Sequence, residues 1–316
     1  MADKIIGGAA YGGDGWSPRN RSLKQEMGRI WTRCGQSNEW GLLKAVLLHK
    51  PGPELNKSAN PEAVQMLAPM DPVRAREQHA TLVKCYQDQN VSVHLVNPGK
   101  STLPNQMFVA DLLFMTPEGA IITRPASTAR AGEERFVARR LADLGIPILR
   151  TISGKATFEG ADAAWLDAFT VLIGRGLRTN SEGIMQVSNV LAEMGVEVIV
   201  VDLPAGTMHL MGMLRFADQN LALAWPRRLA YKAVQALEKR GYQVVYIPDE
   251  VEATNGFALN FVTLGPRHIL MPAANPVTRE FYELLGITCI TVEVDELVKA
   301  AGAVGCLTGV LERAEA

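Results

Sequence analysis

A mark that recurs five times constrains this chain most: a short apolar, strand-like run stops at a turn holding Pro, Gly or Arg, and a helix-like stretch follows. The runs are Val46-Leu47-Leu48-His49-Lys50-Pro51-Gly52, Ile121-Ile122-Thr123-Arg124-Pro125, Val171-Leu172-Ile173-Gly174-Arg175-Gly176, Leu221-Ala222-Leu223-Ala224-Trp225-Pro226 and Ile269-Leu270-Met271-Pro272-Ala273. The last four recur at roughly fifty-residue intervals, a spacing that suits supersecondary repeats. Second strands are expected between them at 196–201 and 242–247, so each unit holds strands plus one helix. That pattern suggests radial repetition about an axis. An open α/β sheet made of similar strand-turn-helix units carries the same punctuation, and periodicity alone leaves both readings standing.

Apolar residues at helical spacing predict helices over 75–88, 133–144, 181–194, 227–240 and 276–285. No charged linker or low-complexity tract interrupts residues 40–316, so residues 29–316 read as a single α/β domain. Residues 1–28 form an arm whose glycine-rich start, from Gly7 to Gly15, is either flexible or pinned by an oligomer contact. No strand leads into those glycines, which argues against a phosphate loop.

A chain of 316 residues with 47% hydrophobic content has ample material for a core. Its formal charge of −1, with acids and bases mixed throughout, lacks the basic stripe that nucleic acid or an anionic membrane selects. The apolar runs fall far short of the ~20 residues needed to span a bilayer. The first residues have no continuous apolar stretch of the signal-peptide kind, so a cytoplasmic protein is expected.

Four cysteines, Cys34, Cys85, Cys289 and Cys306, are scattered without close pairs, which supports neither a disulfide framework nor a structural zinc site. Cys289 sits in the strand-like run 287–292 and reads as a small buried hydrophobe. Cys306 differs, with Gly305 and Gly309 beside it and no bulky shielding in the sequence. Upstream lie His209 and Phe158-Glu159-Gly160-Ala161-Asp162. Thiol, imidazole and carboxylate are the parts that covalent attack on an electrophilic carbon requires.

Further stretches add specificity: Phe108-Val109-Ala110-Asp111, then Arg124-Pro125-Ala126 with Arg130 and Glu133, then Arg175-Gly176-Leu177-Arg178-Thr179-Asn180. In this order, with His209-Leu210 and a terminal Cys306, they resemble the guanidine-modifying enzymes of the pentein superfamily, above all dimethylarginine dimethylaminohydrolases. Arginine deiminases and amidinotransferases are cousins. The likeness covers roughly residues 40–312. It implies a five-bladed α/β propeller with pseudo-fivefold ββαβ-type repeats, and hydrolysis of a guanidino C–N bond with neither metal nor organic cofactor.

By this resemblance Cys306 is the nucleophile, His209 the proton donor and later the activator of water, and Glu159 the carboxylate that orients His209. Asp111 is similar to the family's guanidinium-binding aspartate. Asp162 is grouped with it, orienting at one remove or fixing a turn. Arg130 and Arg178 match positions that bind the substrate's α-carboxylate. Asn255, in the stretch 252–260, is expected to line the site. The implied partner is a small guanidino compound.

Three positions depart from the relatives. Acids common near the guanidinium loop are replaced by Asn105 and Ala110, and Met211 stands where arginine deiminases and glycine-type amidinotransferases carry an aspartate. Dimethylarginine is therefore one candidate substrate among several. Two other readings are an amidinotransferase, which passes the amidino group to an amine, and a non-catalytic pentein used as a binding scaffold. A homo-oligomer is compatible with the sequence.

Overall fold

The computed structural model describes residues 7–57, 60–98 and 103–315. Each of the five punctuated runs is the middle strand of a three-stranded sheet. The first sheet contains β1 (Leu43–Leu48) and β2 (Ser92–Leu95), the second β3 (Leu113–Thr116), β4 (Gly119–Ile122) and β5 (Ile148–Thr151). The third contains β6 (Ala163–Asp167), β7 (Thr170–Arg175) and β8 (Glu197–Asp202), and the fourth β9 (Leu214–Asp218), β10 (Leu221–Ala224) and β11 (Gln243–Tyr246). The fifth has β12 (Val262–Gly265), β13 (His268–Pro272) and β14 (Thr288–Val292), after which β15 (Gly309–Arg313) returns to pair with β1.

One rule builds every sheet. The middle strand runs antiparallel to one neighbour and parallel to the strand that follows it in sequence. In sheets two to five the antiparallel partner is joined by a turn of two residues, such as Pro117-Glu118 or Gln219-Asn220. The parallel partner needs a crossover, and a helix supplies it. The crossover helices are α2 (Pro72–Asp88), α3 (Glu134–Asp143), α4 (Ser181–Glu193), α5 (Tyr231–Glu238) and α7 (Pro276–Leu284), with α1 (Leu23–Glu26) in the arm and α6 (Glu250–Asn255) after β11.

Helix α4 starts where the Asn180 side chain accepts from Gly183 N, as an N-cap should. Helix α5 begins later than the predicted 227. Arg227 has φ of 63°, a left-handed backbone that no α-helix contains, and Pro226 precedes it.

The centres of the middle strands are apolar because both of their faces are covered there. Alternate residues serve opposite sides: Ala120 and Ile122 join one cluster with α3, whereas Ile121 joins another with Val171, Trp165 and α4. Each of five apolar clusters spans two neighbouring sheets, and one links Val262, Leu264 and Leu270 of the fifth sheet to Val46 and Leu48 of the first. Full burial of each such Val, Ile or Leu contributes about 1.5–3 kcal/mol.

In the arm, residues 1–6 lie outside the described residues. Helix α1 is capped by Ser22 and tethered to the far end of the chain by a Lys24–Glu315 pair at 2.7 Å. Backbone bonds to the body begin at Thr32 N, which donates to Gly145 O. Among the described residues no helix is long and apolar enough to cross a membrane.

Candidate active site

The sheets bring functional side chains together because each repeat has a tight turn just before one strand. The turn Val109–Asp111 precedes β3, Gly160–Asp162 precedes β6 and Leu210–Gly212 precedes β9. The stretch 257–260 leads into β12, and the short helices α8 (Asp295–Val298) and α9 (Val304–Leu307) lead to β15. Asp111, Glu159, His209, Asn260 and Cys306 all lie on or beside these turns, one from each. The turns pack tightly: a Cβ added at Gly160 would stand 2.1 Å from Leu113 O and 2.5 Å from Ala110 O, so only glycine fits where two of them meet.

His209 Nε2 and Glu159 Oε2 are 2.6 Å apart, both groups buried. The other Glu159 oxygen accepts from Ala126 N at 3.1 Å and Arg178 Nη1 at 3.4 Å. Burial opposes the Glu159 charge, yet the hydrogen bond and charge of His209, with Arg130 and Arg178, bring its pKa down to about 2. Burial likewise opposes charge on His209, but Asp111, Asp162 and Glu159 lift its pKa to about 9. The imidazole is therefore a cation at neutral pH, ready to give a proton.

Cys306 is buried, contrary to the open setting suggested by its glycine neighbours. Its Sγ accepts from Asn260 Nδ2 at 2.9 Å, and its backbone N donates to Asn260 Oδ1 at 3.0 Å. Burial, reinforced by the Asp111 charge, pushes the thiol up to about 11. Asn255, by contrast, is exposed at the end of α6 and does not line the cleft. Phe257 bends the chain with φ of 55°, and it is Asn260, three residues beyond that bend, that reaches the sulfur. A purely local reading of an Asn before an apolar run fits Asn260 at least as well.

Asp162 is not at the cleft. Its Oδ1 accepts from Leu210 N at 3.0 Å and its Oδ2 from Thr179 Oγ1 at 2.6 Å, while Thr179 Oγ1 also accepts from Glu159 N. It thus ties the His209 turn to the Glu159 turn. Burial raises its pKa to about 6.

Arg130 lines the cleft but its charge is already matched. Nη1 donates to Asp111 Oδ2 at 2.6 Å, Nε donates to Glu133 Oε2 at 2.9 Å, and Glu159 Oε2 lies 3.6 Å away. Glu133, which the sequence motif contained without a role, is the carboxylate that holds Arg130 from behind, and burial pushes its pKa up to about 7. Arg178 is less committed, with Glu159 as its ion-pair partner at 3.4 Å.

Asp111 Oδ1 is buried without a hydrogen-bond partner, 3.8 Å from His209 Nδ1. Together Asp111, Glu159 and His209 could offer three metal-ligand atoms within 4.8 Å of one another. Arg130 already supplies a cation to both acids, however, and a metal would first have to displace the proton from His209.

The cleft is bounded by Gln65, Phe108, Met208, Arg178, Ala301 and Cys306, and encloses about 20 Å³. That is room for about one water. Its cover includes the segment around Gln65, held by Leu67 N and Ala68 N on Lys299 O and by Asn105 Nδ2 on Val64 O. Asn105 therefore fastens this cover from below. Ala110 and Met211 face away from the cleft, into a separate cavity.

The family profile for N,N-dimethylarginine dimethylhydrolase, eukaryotic, matches residues 67–312. The chain is 30% identical over 239 residues to N(G),N(G)-dimethylarginine dimethylaminohydrolase of Pseudomonas aeruginosa, covering 75% of this chain and 89% of that protein. It is 27% identical over 205 residues to the enzyme of the same name from Streptomyces coelicolor, covering 65% and 74%. A solved structure of the Pseudomonas protein, a cysteine-to-serine mutant complexed with citrulline, matches with a TM-score of 0.70 at 27% identity over 84% of this chain and 98% of that one. The amidinotransferase SxtG from Microseira wollei shares the fold, with a TM-score of 0.71 at 14% identity over 90% and 98% of the two chains. The chain belongs to the N,N-dimethylarginine dimethylhydrolase family, hydrolases of a guanidino C–N bond within the pentein superfamily.

Proposed function

We propose that the protein hydrolyses the C–N bond of an arginine-like guanidino acid, with Cys306 as nucleophile. The unpartnered Asp111 Oδ1, buried in the same cleft as the Cys306 thiol and 3.8 Å from Nδ1 of the cationic His209, carries this reading. A buried carboxylate oxygen without a donor is costly, and a guanidinium N–H is the donor it best accommodates.

In the proposed sequence, the substrate cation settles against Asp111 and lowers the pKa of the neighbouring thiol, which releases its proton to solvent as the substrate enters. The thiolate forms an S–C bond to the guanidino carbon. The C–N bond to the departing amine then breaks as His209 gives that nitrogen its proton. Neutral His209, held by Glu159, next takes a proton from water. Hydroxide adds to the thiouronium carbon, the S–C bond breaks with its electron pair on sulfur, the new hydroxyl loses its proton to the departing thiolate, and a ureido product leaves with the Cys306 thiol restored. Arg178 receives the substrate carboxylate, and Arg130 keeps the acids in register. A cleft of about 20 Å³ cannot hold such a substrate, so the Gln65 segment swings out for entry.

The five sheets are read as blades about a central axis. Apolar clusters that link each sheet to the next, and the fifth to the first, support that arrangement.

Incubation of the protein, and separately of Cys306→Ser, with arginine, methylated arginines, shorter guanidino acids and glycine would test the function by mass spectrometry. A ureido product that depends on Cys306 is the expected result. A new guanidino compound built on glycine would make the protein an amidinotransferase. Conversion of no member of the pool would overturn the reading.

A further inference from the structure

Ala110 and Gly305, next in sequence to Asp111 and Cys306, belong to the wall of a second cavity of about 60 Å³. Gln36, Glu39, Met211, Arg215, Thr308 and Arg313 line it too. Arg313 is 5% exposed. Its Nη1 donates to Gly41 O at 2.7 Å, and its Nε has no hydrogen-bond partner. Arg215 is half-buried, and its Nη2 donates to Phe261 O while its guanidinium lies 5.5 Å from the Phe261 ring centroid.

Among the described residues neither guanidinium has a carboxylate within the 4.0 Å of an ion pair. Glu39 is the one acid on the wall, and its Oε1 accepts from Trp165 N. Two cations facing one acid leave a unit of positive charge uncompensated. Burial weakens the hold of both arginines on their protons, and for Arg313, brought down to about 10, the neighbouring Arg215 charge adds to it. Uncompensated charge in a poorly solvated space is destabilising. Water can satisfy the free N–H but cannot offset the charge.

We propose that this cavity binds a small monovalent anion of halide size between Arg215 and Arg313. A volume of about 60 Å³ admits a monatomic ion with a few waters, each water taking roughly 10–15 Å³, but no phosphate ester. The site is distinct from the guanidino cleft, so it stands or falls independently of the reaction assigned there.

Bromide is the probe. Anomalous diffraction from crystals soaked in sodium bromide is expected to show a peak within reach of both guanidiniums. In solution, dialysed protein should melt about 1–2 °C higher in sodium bromide than in sodium gluconate at equal ionic strength. Glu39→Gln should enlarge that difference by removing the competing negative charge, and Arg313→Met should abolish it. Cys306→Ser should keep the bromide peak, which separates this site from the chemistry. Water alone in the cavity, or bromide confined to the outer surface, together with equal melting in the two salts, would overturn the proposal. Should Arg313→Met fail to fold, the wild-type map and Glu39→Gln still decide.

Discussion

Cys306 and Cys289 have the same thiol, and burial pushes both up to about 11, yet their surroundings differ in every other respect. Cys289 lies on β14, half-buried against an apolar cluster, its sulfur near Ile287 O. Cys306 lies on a short helix beside Asn260, in a cleft it shares with Asp111 and Arg178. The difference teaches that in the free protein a perturbed thiol does not mark the nucleophile. On the proposed reading, what marks Cys306 is the company able to create its thiolate once a cation arrives.

The largest expected effect separates the two cysteines directly. Cys306→Ser should lower kcat by at least about 10⁴-fold while the protein stays folded, whereas Cys289→Ser should leave kcat within about twofold. Turnover by Cys306→Ser near the wild-type rate would sink the nucleophile assignment.

Glu159→Gln comes next, since it removes the carboxylate that hydrogen-bonds His209 and helps Asp111 and Asp162 keep it cationic. A loss of about 10²–10⁴ in kcat is expected. It also has a stability signature. The folded-state pKa of His209 is raised to about 9 from an ordinary 6.5, so its ionisation stabilises the fold fully below pH 6.5, and that contribution fades as pH rises through about 9. Denaturant midpoints measured across that window should fall with pH in the wild type. If His209→Gln shows the same slope, the assigned charge is wrong.

A smaller effect tests substrate orientation. Arg178→Ala should raise KM for amino-acid substrates by about 10–100-fold with kcat little changed, because carboxylate binding is largely uniform between ground and transition state. An unchanged KM would remove the α-carboxylate from the argument.

The finest measurement is a thiolate titration followed by ultraviolet absorbance in single-cysteine variants. Alone, both thiols should titrate near 11. With a bound guanidino analogue, Cys306 should drop by about 2 units while Cys289 stays in place. Equal behaviour of the two would end the contrast.

Much of the fold was legible. All five punctuated runs proved to be middle strands, because a strand covered on both faces must be apolar at consecutive positions and must end where the chain turns. Four of the five helices were located within a few residues. The late start of α5 was not, since the left-handed backbone at Arg227 comes from the turn and not from residue periodicity.

The site was legible as a set of motifs and less so as a geometry. Cys306, His209 and Glu159 stood out because their residue types match a chemical task, and Asp111 only through the resemblance; the structure brings all four together. Asn255 and Asn260 are the same residue five positions apart, and only the bend at Phe257 decides which one faces the sulfur. Arg130 and Arg178 are likewise indistinguishable in a string of letters. Three carboxylates around the first and one beside the second separate them.

Sequence alone determined the five punctuated strand positions, their apolar centres and the presence of a thiol, an imidazole and acids, because these depend on local periodicity and residue chemistry. Tertiary structure decided which charges are matched, which atoms lack partners and how deeply Cys306 is buried. Charge balance and burial are sums over neighbours from distant parts of the chain, and only the folded arrangement of the five turns brings those neighbours together.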